Sequence, residues 1–469
     1  MTVEDSVYGY LPEERPEAGR LILYAIQQVI VMFPATITVA LITGFQVSTT
    51  IFASGLATLC FILITGKKIP LYYGSSFAYL SAVASMAVAE GTPEQLALWE
   101  STGILPTALI SKAQFGIIMS GFVSIAAGLL VRKFGKETVE KILPPSITGP
   151  ISMIIGLTLA GNALGDAIGT GDGSPLSNAW LVVSMVTLLS TIFYSKYLKG
   201  FLGQIPLLLG AATGSIAAAL FYFIGGADLN LFRTIADESL GSLASFGPFA
   251  IPAFSLPTFS LTALVAIMPI AIPTIPESTA HMYQLDIYVN DVAKKKGKKL
   301  GYSLIDMLDR NLIGDGLCDM ISGFVGGPAG TNYGENISTM AITKVFSVHV
   351  LAAASVIAMI VSCFTPLIKV IYGIPLAVIG GLEVYLFGAI AAQGVAIMID
   401  KSVDMFSAKN IAVIAAIMVI GLGGQYQFGG NIPFFGMSVP CVAGASIFGI
   451  LLNALLSIGE KKESPEEAA

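Results

Sequence analysis

Apolar stretches of about 20 residues follow one another along this chain from Leu21 almost to its end. A helix of that length crosses the hydrocarbon core of a bilayer, which is about 30 Å thick. Hydrophobic residues make up 55% of the 469 residues and charged residues only 12%, about half the charged fraction of a soluble globular domain. The chain is therefore expected to fold as an all-α membrane protein, and a string of soluble domains is excluded.

The apolar pattern divides into fourteen predicted transmembrane segments. They cover residues 20–43, 46–66, 70–89, 108–131, 145–164, 177–195, 202–225, 259–283, 311–327, 331–347, 349–371, 374–398, 409–424 and 433–457. The residues before the first segment are acidic, which argues against a signal or transit peptide. The first helix is expected to insert uncleaved.

The distribution of basic residues supports this topology. Lys and Arg collect in cytoplasmic loops, and an even number of crossings places both termini on one side of the membrane. With cytoplasmic termini, all of the 24 Lys and Arg residues except Lys112, Arg233 and Lys369 fall on the inner side. One crossing more or fewer would scramble that segregation. We therefore predict a multi-pass protein of the plasma membrane with both termini in the cytoplasm.

The longest outer break, residues 226–258, separates two halves of seven segments each. An odd number of crossings inverts the second half, an arrangement that places a substrate near the bilayer midplane between two repeats. Weak internal similarity agrees, because the third segment begins YGS at Tyr73 and the tenth begins YGE at Tyr333. We predict a 7+7 inverted repeat with short extended segments in the third and tenth spans.

Ionisable side chains inside apolar segments are functional candidates, because each costs at least about 2.5 kcal/mol near the bilayer centre. Glu277 and His281 lie four residues apart in PESTAH, so both face one side of a helix. Pro273 and Pro276 remove backbone donors just before them, and a kink is expected there. An imidazole that titrates near neutral pH beside a carboxylate predicts proton coupling. A satisfied core histidine is the simpler alternative.

Glu335 follows the glycine-rich GGPAG at Gly326 to Gly330. Polar, glycine-flanked backbone at membrane depth is tolerated only against protein or water. We predict a cavity where extended segments around Gly74 and Gly334 meet and each continues into a half-helix, whose first amides offer hydrogen-bond donors. A cap at the helix start is the alternative role of Glu335.

At these residues the chain resembles the nucleobase-ascorbate transporter family (nucleobase:cation symporter 2), and within it the uracil permease branch. The resemblance covers nearly the whole chain. It is carried by YGSSFAYLSA from Tyr73, PESTAH from Pro276, TNYGENISTMAITKVFS from Thr331 and IPLAVIGG from Ile374. The third motif is the most specific, because an acid at Glu335 followed by Asn336 matches the family signature.

The resemblance implies roles for these positions. Those matching Glu277 and Glu335 bind the base, and Asn336, which directly follows Glu335 in the signature, is assigned to the substrate-binding site with them. The position matching His281 takes part in proton coupling with Glu277. Main-chain groups at Phe77 and Gly334 complete the pocket. The family needs no cofactor besides the coupling proton, and it often forms a homodimer.

A core domain and a gate domain are also implied. We expect a cytoplasmic tail at 1–19, the core at 20–131 and 259–371, the gate at 132–225 and 372–457, and a second cytoplasmic tail at 458–469.

A pyrimidine base fits these groups chemically, since carboxylates suit ring N–H groups and main-chain amides suit ring carbonyls. The ring of Phe77 offers a stacking face. Purine-transporting members typically carry Gln or Pro in place of Glu335, which favours uracil over xanthine or urate. Departures from the family leave that choice open: Gln28 stands where His is common, Ser338 replaces a Gly and Lys344 an Arg.

Other function classes fit less well. An anion transporter or channel of the same fold would favour a basic or neutral site, whereas this midplane is acidic. A membrane enzyme with Glu277 and His281 as metal ligands lacks a strong third ligand. No basic stripe with interleaved aromatics indicates a nucleic-acid partner. The expected partners are a nucleobase and membrane lipid.

The remaining polar and sulfur-containing residues carry weaker predictions. His349 is expected at the inner interface, and Glu383 either faces the cavity or pairs elsewhere in the bundle. Asp315 and Asp319 lie near the start of the ninth segment. Four cysteines are predicted to be small buried hydrophobes without metal: Cys60, Cys318, Cys363 and Cys441.

Overall fold

The computed structural model describes residues 9–135, 137, 143–235, 240–435 and 437–458. Its helices are α1 Ala18–Thr43, α2 Val47–Ile64, α3 Leu80–Glu90, α4 Pro93–Thr102, α5 Thr107–Phe134, α6 Pro145–Thr158, α7 Ala160–Ile168, α8 Pro175–Tyr197, α9 Pro206–Gly225, α10 Leu261–Ile267, α11 Ala271–Lys295, α12 Leu308–Val325, α13 Gly334–Thr343, α14 Val348–Ser362, α15 Thr365–Tyr372, α16 Leu376–Asp400, α17 Ala408–Phe428 and α18 Cys441–Leu456.

Six short strands accompany these helices: β1 Tyr73–Ser75, β2 Ala244–Phe246, β3 Phe249–Ile251, β4 Gly330–Asn332, β5 Asn431–Phe434 and β6 Met437–Pro440. They form three antiparallel pairs, β1 with β4, β2 with β3, and β5 with β6. Only the first pair joins distant parts of the chain, and it brings the third and tenth predicted segments together.

The all-α membrane fold is confirmed. Within the described ranges, nine helical stretches are long and apolar enough to cross a membrane. Three shorter apolar helices, Phe77–Glu90, Val348–Ser362 and Cys441–Leu456, fall in predicted segments as well. The two remaining segments correspond to α12 and to β4 followed by α13. The count of fourteen crossings, the inverted repeat and the orientation stay predictions.

Several local features differ from the expectations. The break in the eighth segment is a 3-10 turn at Met268–Ile270 that contains Pro269, a turn earlier than the expected kink. After it, α11 continues to Lys295 rather than ending near residue 283. The fourteenth segment opens with the β5–β6 hairpin before its helix begins at Cys441. Apolar aromatic residues suit a strand as well as a helix, so hydropathy did not separate the two.

Two groups of helices pack mainly within themselves. In one, α5 lies along α12, and α14 lies against α1 and α2. In the other, α16 packs on α6, α7 and α8, and α17 packs on α18. The groups are built from the segments assigned above to the core and the gate, and the division into domains that move stays a prediction.

Residues 9–14, the N-terminal strap, bind the loop between α13 and α14. Tyr10 donates its amide to the carbonyl of Lys344 at 2.8 Å and accepts from the amide of Phe346 at 2.9 Å. The ammonium groups of Lys296 and Lys298 donate hydrogen bonds to the carboxylate of Glu14, at 2.6 Å and 2.7 Å, one to each oxygen. The strap thereby ties the end of α11 to the start of α14.

Candidate functional site

The crossing of β1 and β4 is the centre of the site. Tyr73 pairs with Asn332, Gly74 with Thr331 and Ser75 with Gly330. Each strand runs directly into a helix: β1 into the 3-10 turn Phe77–Tyr79 and then α3, and β4 into α13 at Gly334. Two helix starts therefore approach each other at the crossing, as the sequence predicted.

Glycine is required in both strands because a tyrosine of the other strand's segment lies against each of them. A methyl group on Gly74 would come within 2.2 Å of the Tyr333 ring, and one on Gly330 within 2.2 Å of the Tyr73 ring. The hydroxyl of Tyr333 hydrogen-bonds to the carbonyl of Ser75 at 3.0 Å. This reciprocal packing holds the crossing at a fixed spacing.

A cavity of about 580 Å³ lies on one side of the crossing. Five of the predicted site residues line it together: Phe77, Glu277, His281, Gly334 and Glu335. The structure thus brings α3, α11 and α13 to one cavity.

The two glutamates are close enough for their charges to interact. No ion pair among the described residues joins a Lys or Arg to either of them. Glu335 is exposed and lines the cavity, and Glu277 is half-buried in the same lining. Both carboxylates are therefore free to accept hydrogen bonds from a ligand.

His281 faces the start of α13. Its Nε2 would lie 3.0 Å from a methyl group placed on Gly334, and the imidazole lies beside the main chain of Asn332. Its buried Nδ1 has no hydrogen-bond partner among the described residues. The ring thus lies at the crossing with Nδ1 available for a proton.

Asn336 points to the opposite side of α13. Its amide donates to the side chain of Gln28 at 2.7 Å and to the Gln28 carbonyl at 3.0 Å. It is fully buried and is not among the residues that line the cavity. Gln28, which stands where His is common in the resembling family, therefore anchors α13, the helix that carries Glu335.

The wall opposite the glutamates comes from α6 and α16. Ile155, Leu386 and Ile390 are apolar, whereas Ser152 and Gln393 are polar. Toward the ends of these helices the lining continues to Pro145, Asp400 and Lys401, where the cavity opens. Under the predicted topology this mouth faces the cytoplasm.

The opposite side of the protein is closed near the β5–β6 hairpin. Its strand β6 contacts α3 and α10, and Asn431 donates to the carbonyl of Ser85 at 3.4 Å. The hairpin belongs to the α17–α18 unit, while Ser85 lies on the helix that begins at the crossing. None of the described residues of this hairpin lines the cavity.

Glu383 does not line the cavity. It is 2% exposed and lies beside Asp166 of α7, which agrees with the alternative that Glu383 pairs elsewhere in the bundle. His349 is exposed at the start of α14, and the four cysteines are free. Among the described residues no group of three or more His, Cys, Asp or Glu side chains could hold a metal ion.

The sequence analysis missed several lining residues. Thr331, Asn332 and Tyr333 of the crossing border the cavity, as do Ser75 and Ser76. All five residues lie within the two sequence motifs that contain Tyr73 and Glu335. Their position in those motifs was the signal that could have identified them as lining residues.

A multi-helix membrane fold with two half-helices meeting at a polar cavity, open to one side, defines a membrane transporter. The Xan_ur_permease model, described as a permease family, matches residues 19–430, and the chain belongs to that family.

Curated relatives extend over nearly the whole chain. A uracil permease of Bacillus caldolyticus is 35% identical over 447 residues, covering 95% of this chain and 94% of the relative. A uracil permease of Escherichia coli is 31% identical, covering 96% and 95%. A putative pyrimidine permease of Escherichia coli, RutG, is 33% identical, covering 95% and 91%.

Solved structures share the fold at low identity. The transmembrane domain of a cyanobacterial bicarbonate transporter, BicA, has a TM-score of 0.56 at 15% identity, covering 94% of this chain and 97% of that one. The murine anion transporter Slc26a9 in its inward-facing state has a TM-score of 0.63 at 13% identity, covering 95% and 69%. These likenesses concern the architecture alone.

Proposed function

We propose that this permease takes up uracil, driven by protons that enter with it. The observation that carries the proposal is the meeting of Glu277 and Glu335 with the start of α13 in one cavity. The carboxylates accept hydrogen bonds from the ring N–H groups, and the main-chain amides near Gly334 and Phe77 donate to the ring carbonyls. The names of the curated relatives support uracil as the substrate.

The coupling proton binds within the group formed by Glu277, Glu335 and His281. Two carboxylates in one low-dielectric site repel each other, so proton binding to one of them lowers the cost of bringing them together around a neutral base. The imidazole at the crossing is placed to take up and release that proton.

Alternating access follows from the two packing groups. The core carries the crossing, Glu277 and Glu335, and the gate supplies the apolar wall from α6 and α16. Movement of one group against the other would close the mouth near Asp400 and separate the β5–β6 hairpin from α3. Both features are present at opposite sides of the cavity, as such a mechanism requires.

The test is competition in proteoliposomes that contain the purified protein. Uptake of labelled uracil is measured with unlabelled uracil, thymine, xanthine or urate in excess, with an inward proton gradient. Uracil itself should compete fully, and xanthine and urate little. Strong competition by the purines with weak competition by uracil would overturn the assignment in favour of a purine permease.

A further inference from the structure

A second polar compartment lies behind the strand crossing. It is a cavity of about 10 Å³, room for one water-sized particle. Its lining residues are Ser124, Thr274, Ile275, Ser278, Leu312, Asp315, Asp319, Gly330 and Thr331. Among them Thr331 also borders the large cavity, so the crossing separates the two spaces.

One oxygen of each aspartate is held by donors. Asp315 accepts hydrogen bonds from the hydroxyl of Ser278 and from the side-chain amide of Asn332, the latter at 3.3 Å. Asp319 accepts hydrogen bonds from the hydroxyl of Tyr73 and from the main-chain amide of Gly330, the latter at 2.8 Å. Donors of this kind favour the ionised carboxylate, and they offset part of the cost of burying a negative charge there.

Two further oxygens of the compartment have no described hydrogen-bond partner. Oδ1 of Asp315 and Oγ1 of Thr331 have no hydrogen-bond partner in the part of the chain that the structure describes. Asp315 is 7% exposed and Thr331 8% exposed, and both line the small cavity. The described ion pairs include neither aspartate. Two buried carboxylates without a basic partner call for a positive charge.

We propose that this compartment binds one sodium ion. The polar side chains that line it carry oxygens, the ligands of hard cations, and unwound backbone beside half-helices is where transporters hold such ions. The space has no room for the waters that Mg²⁺ retains. Strong carboxylate ligands in a narrow site favour Na⁺ over K⁺.

The ion would act on the transport site through β4. The bound ion would connect Asp315 and Asp319 of α12 with Thr331 of β4. Strand β4 leads directly into α13, which carries Glu335. Sodium would therefore stabilise the crossing and hold Glu335 in position. This predicts tighter uracil binding, and also a more stable protein in the absence of any substrate.

The experiment compares Na⁺, K⁺ and choline at equal ionic strength and constant pH, with EDTA present. Purified full-length protein is melted without substrate, and uracil binding is titrated in parallel. We expect Na⁺ to raise the melting temperature by at least about 3 °C over choline, and to lower the uracil dissociation constant at least threefold. The melting readout involves no uracil, so it tests the ion site even where the substrate assignment fails.

Variants locate the effect. Thr331→Val removes the free hydroxyl at constant shape and should abolish the difference between Na⁺ and choline, whereas Thr331→Ser should retain it. The matched control is Thr50→Val, because Thr50 is also a buried threonine whose hydroxyl lacks a described partner, and it does not line the compartment. Thr50→Val should keep the full response to sodium.

Two results would overturn the proposal. Equal behaviour of the wild-type protein in Na⁺, K⁺ and choline would do so without any variant, and therefore independently of whether Thr331→Val folds. A melting temperature that follows pH but ignores the identity of the cation would assign the compartment to a proton instead.

Discussion

The ring of Tyr333 lies against Gly74, so closely that a methyl group on the glycine would reach within 2.2 Å of a ring carbon. Tyr73 and Gly330 repeat the same contact in the other direction. The spacing of the two strands, and with it the position of both helix starts, depends on these two contacts.

Replacement of Gly74 by alanine should therefore destabilise the protein. The tyrosine ring has to shift, which costs about 1 to 3 kcal/mol for overpacking in a filled core. The measurement is the melting temperature in detergent. Gly161→Ala is the matched control, because nothing lies within 4 Å of a methyl group at that position. Equal melting temperatures for the two variants would contradict the packing argument.

The two carboxylates of the site can be neutralised separately. Glu277→Gln and Glu335→Gln each remove a charged acceptor for a ring N–H, and such hydrogen bonds contribute about 1.5 to 3 kcal/mol. Uracil affinity should fall at least about 10-fold in either variant, with normal amounts of protein in the membrane. Glu94→Gln, on the exposed face of α4, should bind uracil as the wild-type protein does. Unchanged affinity in both site variants would remove them from the binding site.

The β5–β6 hairpin gives a test of alternating access. Cysteines at Ser85 and Asn431, in a background with Cys60 and Cys363 replaced by serine, allow a short bismaleimide to join the hairpin to α3. The linked protein should still bind uracil through the open mouth and should lose transport. The single Asn431→Cys variant with the same reagent should transport normally. Full transport by the linked protein would show that this contact does not open.

The N-terminal strap predicts a pH-dependent contribution to stability. Partial burial by itself would raise the pKa of Glu14, but the hydrogen bonds from Lys296 and Lys298 outweigh it and hold the pKa below its ordinary value of 4.5. A lowered folded-state pKa means that the stabilisation is present above about pH 4.5 and is lost as the pH falls through the folded-state value.

Glu14→Gln should therefore destabilise the protein at neutral pH by about 1 to 2 kcal/mol, since the side chain of Lys296 is 1% exposed and loses the charged hydrogen bond to Glu14. The difference from wild type should shrink as the pH falls below 4.5 and through the lowered pKa of Glu14 in the folded protein. Glu17→Gln is the control, because Glu17 is exposed and makes no capping hydrogen bond. A difference that grows with acidity would have the wrong sign.

Much of the site was predictable because its chemistry is local in sequence. Glu277 and His281 share a helix face by their spacing, and the YG pairs at Tyr73 and Tyr333 marked the two strands before their pairing was known. Costly charges in apolar segments stand out in any hydropathy pattern, which is why these residues could be assigned to one cavity.

The unpredicted features depend on contacts between distant segments. The side chain of Asn336 points toward Gln28 because of the way α13 is rotated about its axis. The sequence does not determine that rotation, since α13 follows a strand of only three residues. The compartment around Asp315 and Asp319 needs partners from α5, α11 and β4 together. The β5–β6 hairpin contains two exposed and strongly apolar residues, Phe434 and Phe435, so its hydropathy alone did not distinguish it from part of a membrane helix.

The most direct test of the central claim is concentrative uracil uptake by proteoliposomes under an imposed pH gradient. With an acidic exterior, the wild-type protein should accumulate labelled uracil several-fold above the external concentration, and without the gradient it should only equilibrate it. His281→Gln should equilibrate uracil and lose the accumulation. Accumulation that is the same with and without the gradient, or uptake no faster than in protein-free liposomes, would contradict the account.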